Sequence, residues 1–265
     1  MRKLSMILYR GCWAAFFALL VAGYYFDFSW LWGWLPLGLA FALQLAVNRQ
    51  PAVSGTRPAV QVEPPVTGRW SALNSPADRV PSHGTRGYGQ AYAIDIVAEP
   101  EHTARPRFGW WPLVRANRHF PAFDSPILAV ADATVVSAVG HHRDHLSRNS
   151  YPALLYLLVE SMLRDLSGPG RLLGNHIVLD LGNGSYAAYA HLRRDSLTVR
   201  AGDRVHTGQL LARCGNSGNT TEPHLHFQLM DDPDLDVARG VPFVWRGIGV
   251  PRNGEVFTVA QTANT

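Results

Sequence analysis

The first fifty residues carry two long apolar runs, and these limit the possible architectures more than any other feature of the sequence. The runs, 12–28 and 30–47, are 17 and 18 residues long. Each is close to the roughly 20 residues that cross a bilayer as an α-helix. Asp27 is the only charged residue between Gly11 and Val47. A cluster of tryptophans at the junction is typical of a membrane interface: Trp30, Trp32 and Trp34.

This pattern predicts an α-helical membrane anchor, a hairpin of two transmembrane helices within residues 1–49. A secretory signal peptide with Met1–Arg10 as its charged region is one alternative. It leaves the second run unexplained, and no convincing small-residue cleavage site follows the first run. A pair of buried core helices is the other alternative. A hairpin places both of its ends on one side, and the flanking basic residues favour the cytoplasm for that side.

The basic character of the chain comes mainly from this segment. The whole chain has a net charge of +4, from 24 basic and 20 acidic residues. Residues 1–50 contain four of the basic residues and one of the acidic ones, so the remainder is nearly neutral. The charge therefore indicates a membrane surface as partner, and we expect no nucleic-acid partner. Two cysteines are too few for a disulfide scaffold.

Residues 50–68 are predicted to be a proline-rich linker. Four prolines fall within residues 50–67, and no helical or strand period persists there. Such a segment is semi-extended. We expect it to hold the following domain away from the bilayer.

Residues 69–258 are predicted to form a mostly β domain, followed by a short tail at 259–265. Short apolar runs rich in β-branched and aromatic residues alternate with turn residues. There is no long alternation of strands and helices, which disfavours a parallel doubly wound sheet and favours an antiparallel arrangement. The predicted strands are Tyr92–Val97, Ile127–Ala131, Thr134–Val139, His176–Leu181, Tyr186–His191, Gln209–Cys214 and His224–Met230.

A helical insert at 141–173 interrupts the strand pattern. Residues 151–166 predict a helix that ends before Gly168, with Ser150 or Asn149 as its N-cap. A long insert of this kind covers a binding cleft or packs on the side of the domain, and the sequence leaves both open.

Histidines and one aspartate mark the candidate chemistry. His224 and His226 are two apart in a strand, so both imidazoles point to one face. Asp95 lies among apolar residues, where a carboxylate needs a partner, and His191 stands at a strand end. Two histidines and one aspartate suit a catalytic Zn²⁺, which leaves a fourth position for water. Further histidines can act as general base and oxyanion stabiliser.

Taken together, these motifs resemble the lysostaphin/LytM-type zinc endopeptidases, which cut peptides in bacterial peptidoglycan. The resemblance covers about residues 69–245. It rests on Gly215-Asn216-Ser217-Gly218 with Glu222–Phe227, on Tyr189–Leu192 and on the hairpin Val199–Leu211. It implies a β-sandwich of the barrel-sandwich-hybrid type and hydrolysis of peptidoglycan peptides by zinc-activated water. Because that substrate lies outside the cytoplasmic membrane, we expect the domain on the extracytoplasmic side.

The resemblance also implies residue roles. Asp95 and His226 correspond to zinc ligands. His191 and His224 correspond to the catalytic pair, one activating water and the other stabilising charge. The family places its first ligand histidine four residues before the aspartate, where this chain has Ala91. His83, twelve residues before the aspartate, is our candidate for that ligand; the alternative is that it is a loop residue and that the metal is weak or absent.

Two other functions compete with this interpretation of the sequence. A non-catalytic LytM-like module that binds or activates other cell-wall hydrolases is one, but such modules lack several site residues that are present here. A biotinyl or lipoyl carrier is the other, and it fails because the single lysine, Lys3, lies outside the domain. We further expect Cys214 to be a buried thiol. The sequence indicates no particular oligomeric state. Three histidines of the insert are expected in a solvated loop: His141, His142 and His145.

Overall fold

The N-terminal segment is a pair of packed helices. The computed structural model describes residues 2–26, 29–49 and 57–260. Helix α1 (Arg2–Tyr25) and helix α2 (Trp34–Arg49) are joined through a 3₁₀ turn at Trp30–Gly33 and pack against each other. The predicted helical hairpin is therefore confirmed. Two spans are long and apolar enough to cross a membrane: Arg2–Tyr25, with 24 residues, and Trp30–Arg49, with 20 residues that include the 3₁₀ turn. The crossing itself stays a prediction.

Residues 57–260 form thirteen strands, two further α-helices and two short 3₁₀ helices, at Gly87–Tyr92 and Asn117–His119. Each of the seven predicted strands has a counterpart, displaced by at most a few residues at either end. The helices are α3 (Tyr151–Leu166) and α4 (Pro169–Leu173). The strands are β1 (Val60–Val62), β2 (Gly68–Leu73), β3 (Ile94–Ala98), β4 (Pro126–Leu128), β5 (Ala133–Val139), β6 (Asn175–Asp180), β7 (Tyr186–Leu192), β8 (Arg204–Val205), β9 (Leu210–Arg213), β10 (Leu225–Met230), β11 (Gly240–Val241), β12 (Phe243–Trp245) and β13 (Val256–Val259).

Nine of these strands make one antiparallel sheet, which confirms the predicted fold class. The order along it is β13-β2-β3-β10-β7-β6-β5-β8, with β11 also paired to β10. Two small sheets accompany it, β4 with β9 and β1 with β12. A continuous apolar core, including Ile96, Leu179 and Phe227, lies between these layers. The centre of the large sheet, β3-β10-β7, is paired on both edges, with β2 on one side and β6 on the other.

The predicted linker at 50–68 is wrong from residue 60 onward. Strand β1 pairs in parallel with β12, from Val60 opposite Phe243 to Val62 opposite Trp245. Val66 is fully buried in the core. The prolines interrupt the strand period without keeping the segment out of the fold. Residues 50–56 lie outside the described part of the chain, and β13 carries the domain one residue past the predicted boundary at 258.

The domain packs directly on one end of the helical hairpin, contrary to the expectation that it is held away. Met6 of α1 is buried in an apolar cluster with Tyr88 and Leu173. Lys3 forms an ion pair with Asp234 at 2.7 Å. Two further contacts tie the hairpin to the domain, an ion pair of Arg10 with Asp236 and a hydrogen bond from the Arg86 amide to Asn48 Oδ1.

The insert forms the predicted helix. Helix α3 has the predicted bounds, and Ser150 is its N-cap, because its hydroxyl accepts a hydrogen bond from the Ala153 amide at 3.3 Å. The helix lies beside α1. The insert therefore connects the domain to the hairpin.

Candidate metal centre

Strand register brings four of the five predicted site residues together. In the β3–β10 pair, His226 stands directly opposite Asp95. In the β10–β7 pair, the same histidine stands opposite Ala190, and His191 is the next residue of β7. His224 immediately precedes β10. Because antiparallel pairing fixes these neighbours, residues 95, 191 and 226 meet although they are far apart in sequence.

The Asp95 carboxylate is the centre of the cluster. His226 Nδ1 lies 2.9 Å from Oδ1, and His224 Nε2 lies 3.5 Å from the same oxygen. His83 Nε2 lies 3.0 Å from Oδ2. The Asn74 amide donates a hydrogen bond to Oδ2 at 2.9 Å. The loop histidine twelve residues upstream thus reaches the aspartate, as the sequence interpretation required.

Neighbouring groups fix which nitrogen of His226 carries a hydrogen. Its Nε2 lies 3.0 Å from Gln228 Oε1, and the Gln228 amide nitrogen donates to the Tyr88 carbonyl at 2.8 Å. The amide oxygen therefore faces the imidazole and accepts from Nε2–H. In the neutral ring this leaves a lone pair on Nδ1, directed at Asp95.

The same reasoning applies to His83. Ser82 Oγ donates to the Ala93 carbonyl at 2.6 Å and lies 3.0 Å from His83 Nδ1. Its hydrogen is used by the carbonyl, so the hydroxyl oxygen accepts from Nδ1–H. The lone pair of the neutral ring then sits on Nε2, which is directed at Asp95. An outer hydrogen bond that orients the ligand ring in this way is typical of metal-binding histidines.

These residues fit a zinc ion. Two imidazole lone pairs and a carboxylate converge, and their ligand atoms all lie within 4.8 Å of one another. Such a set of acceptors repels itself unless a cation or added protons lie between them. Two histidines and one carboxylate are a catalytic donor set for Zn²⁺. The chemistry of the donors and their fixed tautomers therefore match the metal that the sequence predicted.

His191 and His224 form a second pair beside this set. Their ring centroids are 4.8 Å apart. His191 Nδ1–H donates to the Ser217 carbonyl at 2.9 Å, and His224 Nδ1–H donates to the Glu222 carbonyl at 2.8 Å. The Nε2 of each ring therefore carries no backbone bond, and that of His224 is the nitrogen that lies 3.5 Å from Asp95 Oδ1. The division into three ligands and a separate catalytic pair stays a prediction.

The backbone at His191 is held in an unusual conformation. Its φ is +62°, in the left-handed region that side chains with a Cβ rarely adopt. Such a conformation costs about 1–3 kcal/mol and persists where surrounding bonds enforce it. Here the Gly215 amide donates to the His191 carbonyl at 3.0 Å. A Cβ on Gly215 would lie 2.3 Å from the Arg193 amide nitrogen, so only glycine permits this approach.

Burial and charge shift the site pKa values in different directions. Burial favours the protonated form of Asp95, but its interactions with the adjacent imidazoles outweigh burial, and the pKa of Asp95 lies well below its usual value. Burial and the adjacent His224 and His226 lower the pKa of His191. Burial also opposes the charge on His224, yet Asp95 raises its pKa overall. The pKa values of the two histidines are thus shifted in opposite directions, which favours the neutral form of His191 and the protonated form of His224.

An open cavity of about 570 Å³ lies over the site. His83, Asp95, His191, His224 and His226 all line it. Loops of the β domain, including Tyr88 and Asn219, form part of its other walls. The helices supply the rest: Met6 and Tyr9 of α1, Gln44 of α2, and Leu157, Leu158 and Ser161 of α3. Of the two readings of the insert, a helix that borders the cleft is the one that the structure supports.

The remaining histidines lie apart from the cluster. His176 is on strand β6, as expected, and donates from Nδ1 to the Gly174 carbonyl. His206 is largely exposed. His145 contradicts the expectation of a solvated loop, because it is buried, with Nε2 lying 3.0 Å from the Gly218 carbonyl. Cys214 is the expected buried thiol.

Two contributors were not found from the sequence. Gln228 is two residues after His226 and shares its strand face, so the period of two contains the signal that identifies it. Asn74 reaches Asp95 only because β2 pairs with β3, where Leu73 stands opposite Asp95. No local pattern marks that asparagine. The cavity walls from α1 and α2 were also missed, because the linker was expected to separate them from the domain.

One family model matches part of the chain. Residues 164–236 match the family model described as peptidase family M23. The matched segment contains His191, His224 and His226, while His83 and Asp95 lie before it. This segment of the chain is therefore assigned to peptidase family M23.

Two curated proteins are similar over part of the chain. Peptidoglycan DD-endopeptidase ShyA of Vibrio cholerae is 39% identical over 57 residues, and glycyl-glycine endopeptidase ALE-1 of Staphylococcus capitis is 43% identical over 58 residues. Each match covers 22% of this chain. The matched segments span 13% and 16% of these relatives.

Two solved structures are similar to part of this chain. The catalytic domain of lysostaphin from Staphylococcus simulans is 22% identical, with a TM-score of 0.30, over 51% of this chain and 85% of that chain. A LytM-like protein from Ruminococcus gnavus, described as a putative glycyl-glycine endopeptidase, is 20% identical, with a TM-score of 0.31, over 56% and 42% of the two chains.

Proposed function

We propose that the protein is a membrane-anchored zinc metalloendopeptidase that hydrolyses peptide bonds in peptidoglycan. The observation that carries the proposal is the convergence of two imidazole lone pairs on a buried carboxylate, inside a cleft that holds two more oriented imidazoles. The family M23 match over residues 164–236 and the two endopeptidase relatives support the substrate class.

His83, Asp95 and His226 would hold the zinc ion. When bound, zinc supplies a Lewis acid that polarises the scissile carbonyl and makes water more acidic. The chain supplies the remaining requirements. Gln228 and Ser82 keep the ligand nitrogens unprotonated on the inner side. Burial of the cluster keeps the ligands in fixed positions.

His191 and His224 divide the proton chemistry. His191 is buried and neutral, with Nδ1–H committed to the Ser217 carbonyl, so its Nε2 accepts a proton from water. Asp95 favours the protonated form of His224, which makes its Nε2–H a donor toward negative charge that develops on the carbonyl oxygen. The cleft walls position the peptide and reduce access of bulk water.

Two substitutions test the separation of ligand and catalytic roles. We expect His226→Ala to abolish both zinc binding and hydrolysis, because it removes one of three ligands. We expect His191→Ala to retain zinc and to lower hydrolysis by at least about 100-fold, the typical contribution of a general base. Zinc is measured by elemental analysis of the full chain in detergent, and hydrolysis by new amino termini in digested peptidoglycan.

His206→Ala is the matched control, because this histidine is exposed and lies outside the cleft. It should leave both measurements unchanged. Loss of zinc from His191→Ala would contradict the assignment of roles. A wild-type chain without zinc or hydrolysis would instead favour the non-catalytic module that binds or activates other hydrolases.

A further inference from the structure

Helix α3 directs its polar side chains at the protein and its apolar side chains outward. On the inner side, Glu160 pairs with Arg148 and, at 2.7 Å, with Arg164. Ser161 Oγ donates to Asn219 Oδ1 at 2.5 Å. The outer side carries four aliphatic residues whose exposure lies between 57% and 69%: Leu155, Leu158, Val159 and Leu163.

An aromatic loop extends this apolar face. Residues 108–114 read Phe-Gly-Trp-Trp-Pro-Leu-Val and carry no charge. Trp110 and Trp111 are 72% and 77% exposed. Phe108 and Trp110 each pack with a ring centroid 4.8 Å from Tyr151, the first residue of α3. The Tyr151 amide also donates to the Gly109 carbonyl at 3.0 Å, so loop and helix form one continuous surface.

We call residues 108–114 and the outer side chains of 151–163 the α3 surface. Monomers in water rarely expose a contiguous apolar patch of this kind without a partner. Exposed tryptophans beside aliphatic residues match the boundary between headgroups and hydrocarbon. Two exposed arginines at its edges, Arg107 and Arg143, suit the anionic headgroups of such a boundary.

The position of the hairpin places a bilayer boundary at the same level. Counting about 20 residues back from Tyr25 along α1 reaches Met6. Met6 is buried against the domain, and it lines the same cavity as Leu158 of α3. Helix α3 lies beside α1. If the hairpin spans a bilayer, the near surface of that bilayer meets the chain where α3 lies.

We propose that the α3 surface is a second membrane contact, inserted in the interface of the bilayer that the hairpin spans. This inference rests on the membrane anchoring in the proposed function. The occupant is lipid: the tryptophans and Tyr151 lie among the headgroups, and the aliphatic face of α3 contacts the acyl chains. The cleft between α1, α2 and α3 then opens directly at the bilayer surface.

Site-specific depth measurements test this proposal in the full chain. In a Cys12→Ala, Cys214→Ala background, single cysteines are introduced by Trp111→Cys and Val159→Cys and labelled with an environment-sensitive fluorophore. The protein is reconstituted into vesicles of phosphatidylcholine and phosphatidylglycerol at a ratio of about 3:1, chosen to supply the anionic headgroups. Quenching is then compared between a water-soluble quencher and lipids with a quencher at known depth.

Two control positions distinguish this proposal from the anchoring on which it depends. Val21→Cys reports the exposed flank of α1, and His206→Cys reports an exposed turn of the β domain. We expect lipid quenching at 21, 111 and 159, deepest at 21, and water quenching at 206. Circular dichroism and monodisperse elution verify that each labelled chain is folded.

Each other outcome overturns the proposal in an identifiable way. Lipid quenching at 21 with water quenching at 111 and 159 leaves the anchor intact and removes the α3 contact. Water quenching at 21 removes the anchor itself. Protection of 111 and 159 from both quenchers indicates that a protein, either a partner or a second copy of this chain, covers the α3 surface.

Discussion

At the scale of single residues, the site depends on side chains that fix the tautomers of its ligands. Gln228 presents its oxygen to His226 because its nitrogen is already bonded to the Tyr88 carbonyl. Ser82 does the same for His83 through the Ala93 carbonyl. The tautomers of both ligand histidines are thus set by hydrogen bonds from residues outside the ligand set.

Gln228→Leu tests this dependence. Without an acceptor at Nε2, the His226 ring loses its preferred tautomer and orientation, and zinc affinity should fall about 10- to 100-fold. Gln228→Glu keeps an acceptor and should recover a large part of that loss. Competition with a zinc chelator gives both affinities. Equal zinc affinity in wild type and Gln228→Leu would contradict the role.

The residues of the site were predictable to different degrees. His224 and His226 follow from the period of a strand, and Asp95 from the cost of burying a carboxylate without a partner. His83 was identified by ligand chemistry, because its spacing departs from the family pattern. Asn74 was not predictable, since only the pairing of β2 with β3 brings it to Asp95.

At the scale of elements, the insert is coupled to the loop that carries His191's partner, Ser217. His145 Nε2 lies 3.0 Å from the Gly218 carbonyl oxygen, and its Nδ1 lies 2.8 Å from the Leu146 carbonyl oxygen and beside the Arg148 guanidinium. Burial lowers the pKa of His145 from its ordinary 6.5 to about 4, and the Arg148 charge adds to this effect. The insert therefore packs on the domain with this imidazole neutral.

This pKa shift predicts a loss of stability in acid. The unfolded chain takes up a proton on residue 145 at a higher pH than the folded chain does. The stabilisation is thus complete above pH 6.5 and is lost as the pH falls from 6.5 to about 4. In thermal unfolding of the detergent-solubilised chain, His145→Gln should lose less stability than wild type between pH 7.5 and 5. Parallel pH profiles would contradict the coupling.

Elements were easier to predict than their packing. Helix α3 follows from a cap at Ser150 and a stop at Gly168, and the strands follow from alternation between turn residues. Strand β1 was missed because prolines break its period. The sequence also did not predict that the apolar side of α3 faces outward. An amphipathic pattern shows that a helix has an apolar and a polar face, but it does not show which face contacts the protein.

At the scale of the whole molecule, the docking of domain on hairpin bears on orientation. The basic residues that flank the apolar runs favour a cytoplasmic domain when they are counted alone. Two of them are compensated in the structure, because Lys3 pairs with Asp234 and Arg10 pairs with Asp236. The positive-inside rule counts basic residues regardless of acidic partners, so the charge count and the proposed substrate predict opposite sides of the membrane for the domain.

Protease treatment of intact spheroplasts tests that orientation. An extracytoplasmic domain should be digested without lysis, whereas a cytoplasmic reporter protein should survive. The measurement is immunodetection of an epitope at the C-terminus. Protection of the epitope until lysis would place the domain in the cytoplasm and contradict peptidoglycan as substrate, while leaving the metal centre unaffected.

The central claim is that His83, from a loop, completes a zinc site with Asp95 and His226. Zinc bound per chain tests it most directly, measured by elemental analysis of full-length wild type, His83→Ala and His206→Ala after equal exposure to zinc and equal dialysis. We predict one zinc per chain in wild type and in His206→Ala, and loss of that zinc in His83→Ala. Retention of one zinc by His83→Ala, or its absence from wild type, would contradict the claim.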